Sequence, residues 1–184
     1  MIKGLCIDIA GVLLDGSHTI PGSVEAWRAL RRLNIPLRLI TNTSRKPMRS
    51  VLAQLQTAGF QVAPEELLTA PLAVVRLLKR EQLTPYLLVH PEIREEFDAA
   101  DSVESAVDTV VVCDAGHAFH YESLDRAFHH LMHGARFLAI GMNRHFKEGE
   151  RWHLDAGPFI KALSYASGRE PEIIGKPGPI LFQE

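Results

Sequence analysis

Short apolar runs alternate along the chain with longer segments in which apolar residues recur every three or four positions. The runs typical of buried strands are IKGLCIDIA, IPLRLITN, YLLVH, DTVVVCDA and RFLAIGM. The segments with helical periodicity are PGSVEAWRALRRLN, TSRKPMRSVLAQLQTAGF, APLAVVRLLKREQL, YESLDRAFHHLMHG and GPFIKALSYASG. Because strands separated by helices form βαβ units, the pattern predicts an α/β fold with a largely parallel sheet.

Polar and small residues mark the expected ends of the first two helices. Ser23 is the predicted N-cap of the first helix, and Ser44 is predicted to lie near the cap of the second. Gly59 follows the second helix, where a residue without a side chain tolerates the left-handed conformation that ends many helices.

Composition excludes several classes of protein. A chain of 184 residues with 46% hydrophobic content can bury a core, as one domain or as a core with an insertion. A formal charge of −2 gives no electrostatic reason to expect nucleic acid or membrane partners. No apolar run reaches about 18 residues, so no membrane span is predicted. Cys6 and Cys113 lie in apolar runs and are predicted to be buried, reduced thiols of a cytoplasmic protein.

Candidate chemistry lies where predicted strands end. The stretch CIDIAGVLLDG carries the carboxylate of Asp8 and then breaks at Gly11, while Thr41 and Asn42 end the second strand. Lys176 follows another short apolar run in IIGKPGP. Ligands of parallel α/β sheets bind outside the carboxyl ends of the strands, so we expect Asp8, Thr41 and Lys176 to converge there. A carboxylate nucleophile, a hydroxyl donor and an ammonium group suit a phosphoryl group.

The sequence resembles the haloacid dehalogenase superfamily in three motifs, DIAGVL, TNTS and GKPGP, which stand in the family's order and approximate separation. The middle of the chain, including LTPYLLVHPEIREEFD, DAGHAFHYESLDRAF and DAGPFIKALSYASGREPEIIGKP, is similar to the branch of phosphatases that act on phospholysine, phosphohistidine and pyrophosphate. The likeness covers nearly the whole chain.

This resemblance implies a Mg²⁺-dependent phosphatase that forms an aspartyl-phosphate intermediate. It also implies a Rossmann-like core, expected at 1–69 and 170–184, with an α/β cap inserted at 70–169. The expected substrate is a phosphorylated small molecule or phosphoamino acid. The site residues implied are the catalytic Asp8, Thr41 and Lys176, the substrate-binding Gly11, Thr41, Asn42 and Lys176, and the metal ligands Asp8 and Ala10, the latter through its main-chain carbonyl.

Ala10 departs from the family pattern. Phosphatases of the superfamily usually carry a second aspartate two positions after the nucleophile, which acts as a general acid on the leaving oxygen. A methyl group cannot donate a proton, and loss of general acid catalysis typically costs about 10² to 10⁴ in rate. The cost is smallest for stable leaving groups, so Ala10 favours phosphoanhydrides and phosphorylated imidazoles over sugar phosphates.

The family's fourth motif, an acidic loop that completes the magnesium site, is expected beyond the lysine, and the chain ends at Glu184 before it. Three hypotheses follow. The chain is an active phosphatase, or a truncated and inactive remnant that binds phosphate or a partner chain, including a second copy through the edge of the Asp8 strand. The third is an unrelated nucleotide binder, although no G-x-G-x-x-G follows the first strand.

Overall fold

The computed structural model describes residues 2–97 and 106–183, which form two compact units. The first unit comprises Met1–Thr41 and Lys46–Thr69, and the second comprises Asn42–Arg45 and Ala70–Glu184. The short stretch Asn42–Arg45 therefore belongs to the second unit, although residues of the first unit precede and follow it.

The first unit is built on a parallel sheet of three strands in the order β1-β4-β5. Two further short strands, β2 and β3, form an antiparallel hairpin after β1. The strands are β1 (Leu5–Asp8), β2 (Leu14–Asp15), β3 (His18–Thr19), β4 (Leu37–Thr41) and β5 (Leu67–Thr69), and the helices are α1 (Ser23–Arg31) and α2 (Met48–Thr57).

Apolar side chains from the strands and from both helices make the core of the first unit. Trp27 of α1, Leu39 of β4 and Leu55 of α2 are completely or almost completely buried. The indole N–H of Trp27 donates to the main-chain carbonyl of Gln61 at 3.2 Å, which satisfies the polar atom of this buried ring. These contacts hold α1 and α2 in one core with β4.

The second unit contains a parallel sheet of four strands in the order β11-β8-β7-β6 and a separate antiparallel hairpin of β9 and β10. Its strands are β6 (Pro85–Leu88), β7 (Thr109–Val112), β8 (Arg136–Ala139), β9 (His145–Glu148), β10 (Arg151–Leu154) and β11 (Glu172–Ile173), and its helices are α3 (Ala70–Glu81), α4 (Tyr121–Met132) and α5 (Ala156–Ser167).

Strand β7 lies inside the sheet of the second unit, and all four of its residues are buried. Such a continuous apolar run is typical of a parallel strand covered on both faces. Asp155 caps α5, since its Oδ1 accepts the N–H of Ala156 at 2.6 Å. Ile160 of α5 and Leu131 of α4 are completely buried in the same core as Val110 of β7.

The structure confirms the predicted α/β fold, and each predicted strand and helix is present, most of them with shorter bounds. The predicted cap at Ser23 is wrong: Gly22 precedes α1, and the Ser23 hydroxyl donates to the carbonyls of Leu13 and Ile20. The predicted cap near Ser44 is wrong as well, because α2 begins only after Pro47. Cys113 is buried, but Cys6 is exposed, which corrects its predicted burial.

The two units divide between Thr69 and Ala70, and the cap at 70–169 stays a prediction. Residues 170–184 group with the second unit, in which β11 pairs with β8. The assignment of 170–184 to the hydrolase core therefore stays a prediction. No helix within the described ranges is long and apolar enough to cross a bilayer.

Candidate active site

Asp8 and Thr41 lie at the carboxyl ends of two adjacent parallel strands. Asp8 ends β1 and is in register with Ile40 of β4, so Thr41 lies one position further along. The main-chain N–H of Ile9 donates to Oδ1 of Asp8 at 2.7 Å. Asp8 is half-buried and Thr41 is buried. A carboxylate and a hydroxyl residue therefore meet at the edge where parallel sheets bind ligands.

Main-chain hydrogen bonds hold the loop after Asp8. The carbonyl of Ile9 accepts the N–H groups of Leu13 at 2.9 Å and Leu14 at 3.0 Å, and these three side chains are buried. Gly11 has a φ of 75°, in the left-handed region that favours glycine, and its N–H donates to the carbonyl of Leu14 at 2.8 Å. Ala10 is exposed in this loop. A contact of Gly11 with substrate stays a prediction.

Asn42 and Lys176 meet in the second unit, although 134 positions separate them in the sequence. The Nδ2 of Asn42 donates to the main-chain carbonyl of Lys176 at 2.8 Å. The main-chain N–H of Lys176 donates to Oδ1 of Asn42, also at 2.8 Å. The side-chain amide of Asn42 thus pairs with both main-chain groups of Lys176.

Gly175 allows this close approach because it has no side chain. A Cβ atom at this position would lie 2.3 Å from the carbonyl oxygen of Ile140 and 2.6 Å from Oδ1 of Asn42. Real Cβ atoms do not approach other atoms so closely. The peptide before Lys176 can therefore sit against Asn42 only when residue 175 is glycine.

Gly175→Ala is expected to lower the free energy of unfolding by about 1–3 kcal/mol, the usual cost of overpacking. Gly141→Ala is the matched control, since a Cβ there would lie 3.9 Å from Nδ2 of Asn42, an ordinary contact. Its effect should stay within about 0.5 kcal/mol. Urea denaturation of both variants measures the difference, and equal losses would contradict the close packing at Gly175.

The structure brings together Asp8 with Thr41 in the first unit and Asn42 with Lys176 in the second. The convergence of these two pairs at one site stays a prediction. Thr41 and Asn42 are neighbours in the chain, so the TNTS motif contributes a residue to each pair.

Sequence reasoning did not connect Arg45 with Asp114, which pair in the second unit. Nε of Arg45 lies 3.3 Å from Oδ2 of the buried Asp114, and its guanidinium lies 4.8 Å from the ring centre of Phe146. The main-chain N–H of Asp114 donates to the hydroxyl of Ser44 at 3.4 Å. Arg45 precedes α2, which begins at Met48. Its partners Asp114 and Phe146 are distant in sequence, so no local pattern marks the contacts.

Cys113 is not a candidate nucleophile. Burial raises the pKa of its thiol well above the ordinary value, and the neighbouring Asp114 carboxylate raises this pKa further. The thiol therefore stays protonated, whereas the thiolate is the reactive form.

The predicted magnesium ligands are oxygens, the Asp8 carboxylate and the Ala10 carbonyl. Within residues 2–97 and 106–183, no group of three or more His, Cys, Asp or Glu side chains is arranged to hold a metal. Mg²⁺ is commonly held by one or two carboxylates together with water and substrate phosphates. The donor set therefore fits Mg²⁺ in kind, with water and phosphate oxygens as the remaining ligands.

Residues 5–102 match the family model of haloacid dehalogenase-like hydrolases. The chain is also 39% identical over 188 residues to human phospholysine phosphohistidine inorganic pyrophosphate phosphatase, covering 99% of this chain and 69% of that protein. The chain belongs to the haloacid dehalogenase-like hydrolases. Its resemblance to this family, predicted from three motifs and the middle of the chain, is confirmed.

Other similar proteins support the assignment of this hydrolase to the family. Haloacid dehalogenase-like hydrolase domain-containing protein 2 of Rattus norvegicus is 32% identical over 184 residues, which cover 100% of this chain and 70% of that protein. The solved structure of a p-nitrophenyl phosphatase from Archaeoglobus fulgidus matches with a TM-score of 0.90 and 26% identity, over 98% of this hydrolase and 71% of that chain. The predicted enzyme class, a phosphatase-type hydrolase, is confirmed.

Proposed function

We propose that the protein is a Mg²⁺-dependent phosphatase that works through an aspartyl-phosphate on Asp8 and favours activated phosphates. The observation that carries the proposal is the placement of Asp8 beside Thr41 at the carboxyl edge of two parallel strands. The whole-chain similarity to a human enzyme named for phospholysine, phosphohistidine and pyrophosphate supports the substrate class. The partner would be a phosphorylated small molecule or phosphoamino acid.

The chemistry consists of two displacements at phosphorus. An oxygen of the Asp8 carboxylate bonds to phosphorus while the bond from phosphorus to the leaving atom breaks, and the leaving group takes the bonding electrons. Water then attacks the same phosphorus, the bond to Asp8 breaks, and phosphate and a proton are released with the carboxylate restored. In this scheme the Thr41 hydroxyl donates to a phosphate oxygen, and the Lys176 ammonium balances the charge on the phosphoryl oxygens.

Asp8 and the main-chain carbonyl of Ala10 would hold Mg²⁺, which when bound neutralises charge on the substrate phosphate. The orientation of Asp8 does not depend on the metal alone, because the N–H of Ile9 donates to Oδ1 at 2.7 Å. Since that oxygen accepts a main-chain hydrogen bond, the carboxylate is held at the start of the loop.

The side chain of Ala10 supports the preference for activated phosphates. This position is exposed, and its methyl group cannot protonate a leaving oxygen. Phosphate leaving from pyrophosphate, or the imidazole or amine leaving from phosphohistidine or phospholysine, depends less on an acid at this position than an alkoxide does. The loop therefore suits P–O–P and P–N bonds.

A substrate panel tests the proposal. With Mg²⁺, kcat/KM for pyrophosphate, phosphohistidine and phospholysine should exceed the value for glucose 6-phosphate by about 10² or more. Excess EDTA should abolish the hydrolysis, and added Mg²⁺ should restore it. Faster hydrolysis of glucose 6-phosphate, or hydrolysis that EDTA does not affect, would overturn the proposal. Phosphate binding without any hydrolysis would favour the inactive alternative.

A further inference from the structure

The side-chain amide of Asn42 hydrogen-bonds to both main-chain groups of one residue, Lys176. Its Oδ1 accepts the N–H of Lys176, and its Nδ2 donates to the carbonyl of the same residue, each at 2.8 Å. A side-chain amide offers a donor and an acceptor in one rigid plane, so it can pair with both polar groups of one residue. Both bonds form across 134 positions of sequence.

The main chain before and after Lys176 is held by other partners. The N–H of Ile174 donates to the carbonyl of Ala139, the last residue of β8, and the N–H of Gly175 donates to the carbonyl of the next residue, Ile140, each at 2.9 Å. The N–H of Gly178 donates to the carbonyl of Gly175 at 2.8 Å. The hydrogen bonds to the segment after β8 thus reach Gly175, and Asn42 supplies those of the next residue, Lys176.

The packing around Gly175 reinforces this arrangement. Because a Cβ at residue 175 would lie 2.6 Å from Oδ1 of Asn42, the peptide and the amide are in close contact. A Cβ built at Gly141 would lie 3.9 Å from Nδ2 of Asn42, so the main chain at Gly141 is also near this amide. The Asn42 side chain is thus close to two main-chain segments of the second unit.

We propose that Asn42 is a positioning residue: its amide fixes the main chain of Lys176 and thereby sets where the ammonium group can reach the phosphoryl group. This proposal rests on the proposed function of Lys176. It assigns Asn42 a role different from the direct substrate contact that the sequence predicted. Asn42 would act on the reaction through Lys176 and not through a contact of its own.

A double-mutant cycle distinguishes these roles. Lys176→Ala should lower kcat about 10² to 10³-fold, the usual cost of removing one charge-stabilising group. Asn42→Ala should lower kcat about 10²-fold, because a displacement of about 1 Å costs that much. If Asn42 acts through Lys176, the double variant should lie within about threefold of Lys176→Ala, since residues that act as a unit are not additive. Multiplied losses would overturn the proposal.

Amide hydrogen exchange at Lys176 tests the hydrogen bonds themselves without any turnover. Asn42→Ala should speed this exchange at least about tenfold, because the N–H loses its acceptor. Asn42→Asp keeps the acceptor oxygen but replaces the Nδ2 donor with an oxygen that faces the Lys176 carbonyl. It should therefore speed the exchange by less than Asn42→Ala does, and it replaces Asn42→Ala if that variant does not fold. Asn143→Ala, which removes an exposed amide, is the matched control and should change neither exchange nor kcat. Unchanged exchange in Asn42→Ala would overturn the proposal.

Failure of the proposed function would be recognised separately. If the wild-type protein hydrolyses none of the panel, the same four proteins are compared by their affinity for orthovanadate, an analogue of the phosphoryl group in transfer. If Lys176→Ala lowers this affinity and adding Asn42→Ala lowers it no further, the positioning role would be supported even then. Independent losses, or no binding of orthovanadate by the wild-type protein, would overturn it.

Discussion

Asp8→Asn is expected to lower kcat for pyrophosphate at least about 10³-fold, because an amide is a far poorer nucleophile than a carboxylate. The substitution preserves size, and its amide oxygen can still accept the Ile9 N–H that Oδ1 accepts at 2.7 Å. Folding should therefore change little. The measurement is the initial rate of phosphate release, together with acid quenching of the wild-type enzyme to trap phosphate on Asp8.

Asp15→Asn is the matched control, since Asp15 is exposed in β2 and belongs to the same loop region. It makes the same change of charge and should retain the wild-type rate. Undiminished turnover in Asp8→Asn, or trapped phosphate on a residue other than Asp8, would show that Asp8 is not the nucleophile.

Ala10→Asp is expected to raise kcat/KM for glucose 6-phosphate about 10²-fold, because a carboxylic acid at this position can protonate an alkoxide as it leaves. Pyrophosphate, whose leaving group is already stable, should gain less than about threefold. The exposed position of Ala10 leaves room for the larger side chain, and its main-chain carbonyl is retained. Steady-state kinetics on both substrates give the ratio of the two gains.

Val12→Asp controls for the added charge, because the Val12 side chain is 47% exposed in the same loop. It should not favour either substrate. Equal gains for both substrates in Ala10→Asp would contradict the role assigned to position 10, and so would an equal shift in Val12→Asp.

The strands and long helices could be predicted because burial imposes a local pattern. In β7, four successive buried residues mark a strand covered on both faces, and α1 and α4 show the helical spacing of apolar residues. The hairpin of β9 and β10 was not predicted, because each strand has only four residues and most of them are exposed. Strand β11 was missed as well, since two residues are too few for a period.

The candidate site could be predicted in part. Asp8 and Thr41 were expected at neighbouring strand ends, and the register of β1 with β4 agrees. The pairing of Asn42 with the main chain of Lys176 could not be anticipated, because the two residues are 134 positions apart and no local pattern connects them. The same holds for Ser44, which looks like a helix cap in sequence but accepts the N–H of Asp114.

Asn42–Arg45 have a consequence for exchanging parts between relatives. These four residues are grouped with the second unit, where they contact Lys176 and Asp114. If only residues 70–184 were transferred into a relative, Lys176 and Asp114 would lose the partners that Asn42 and Arg45 supply. They would then face residues 42–45 of the relative instead. A chimaera intended to transfer substrate preference should therefore include two separate segments of this chain, residues 42–45 and residues 70–184.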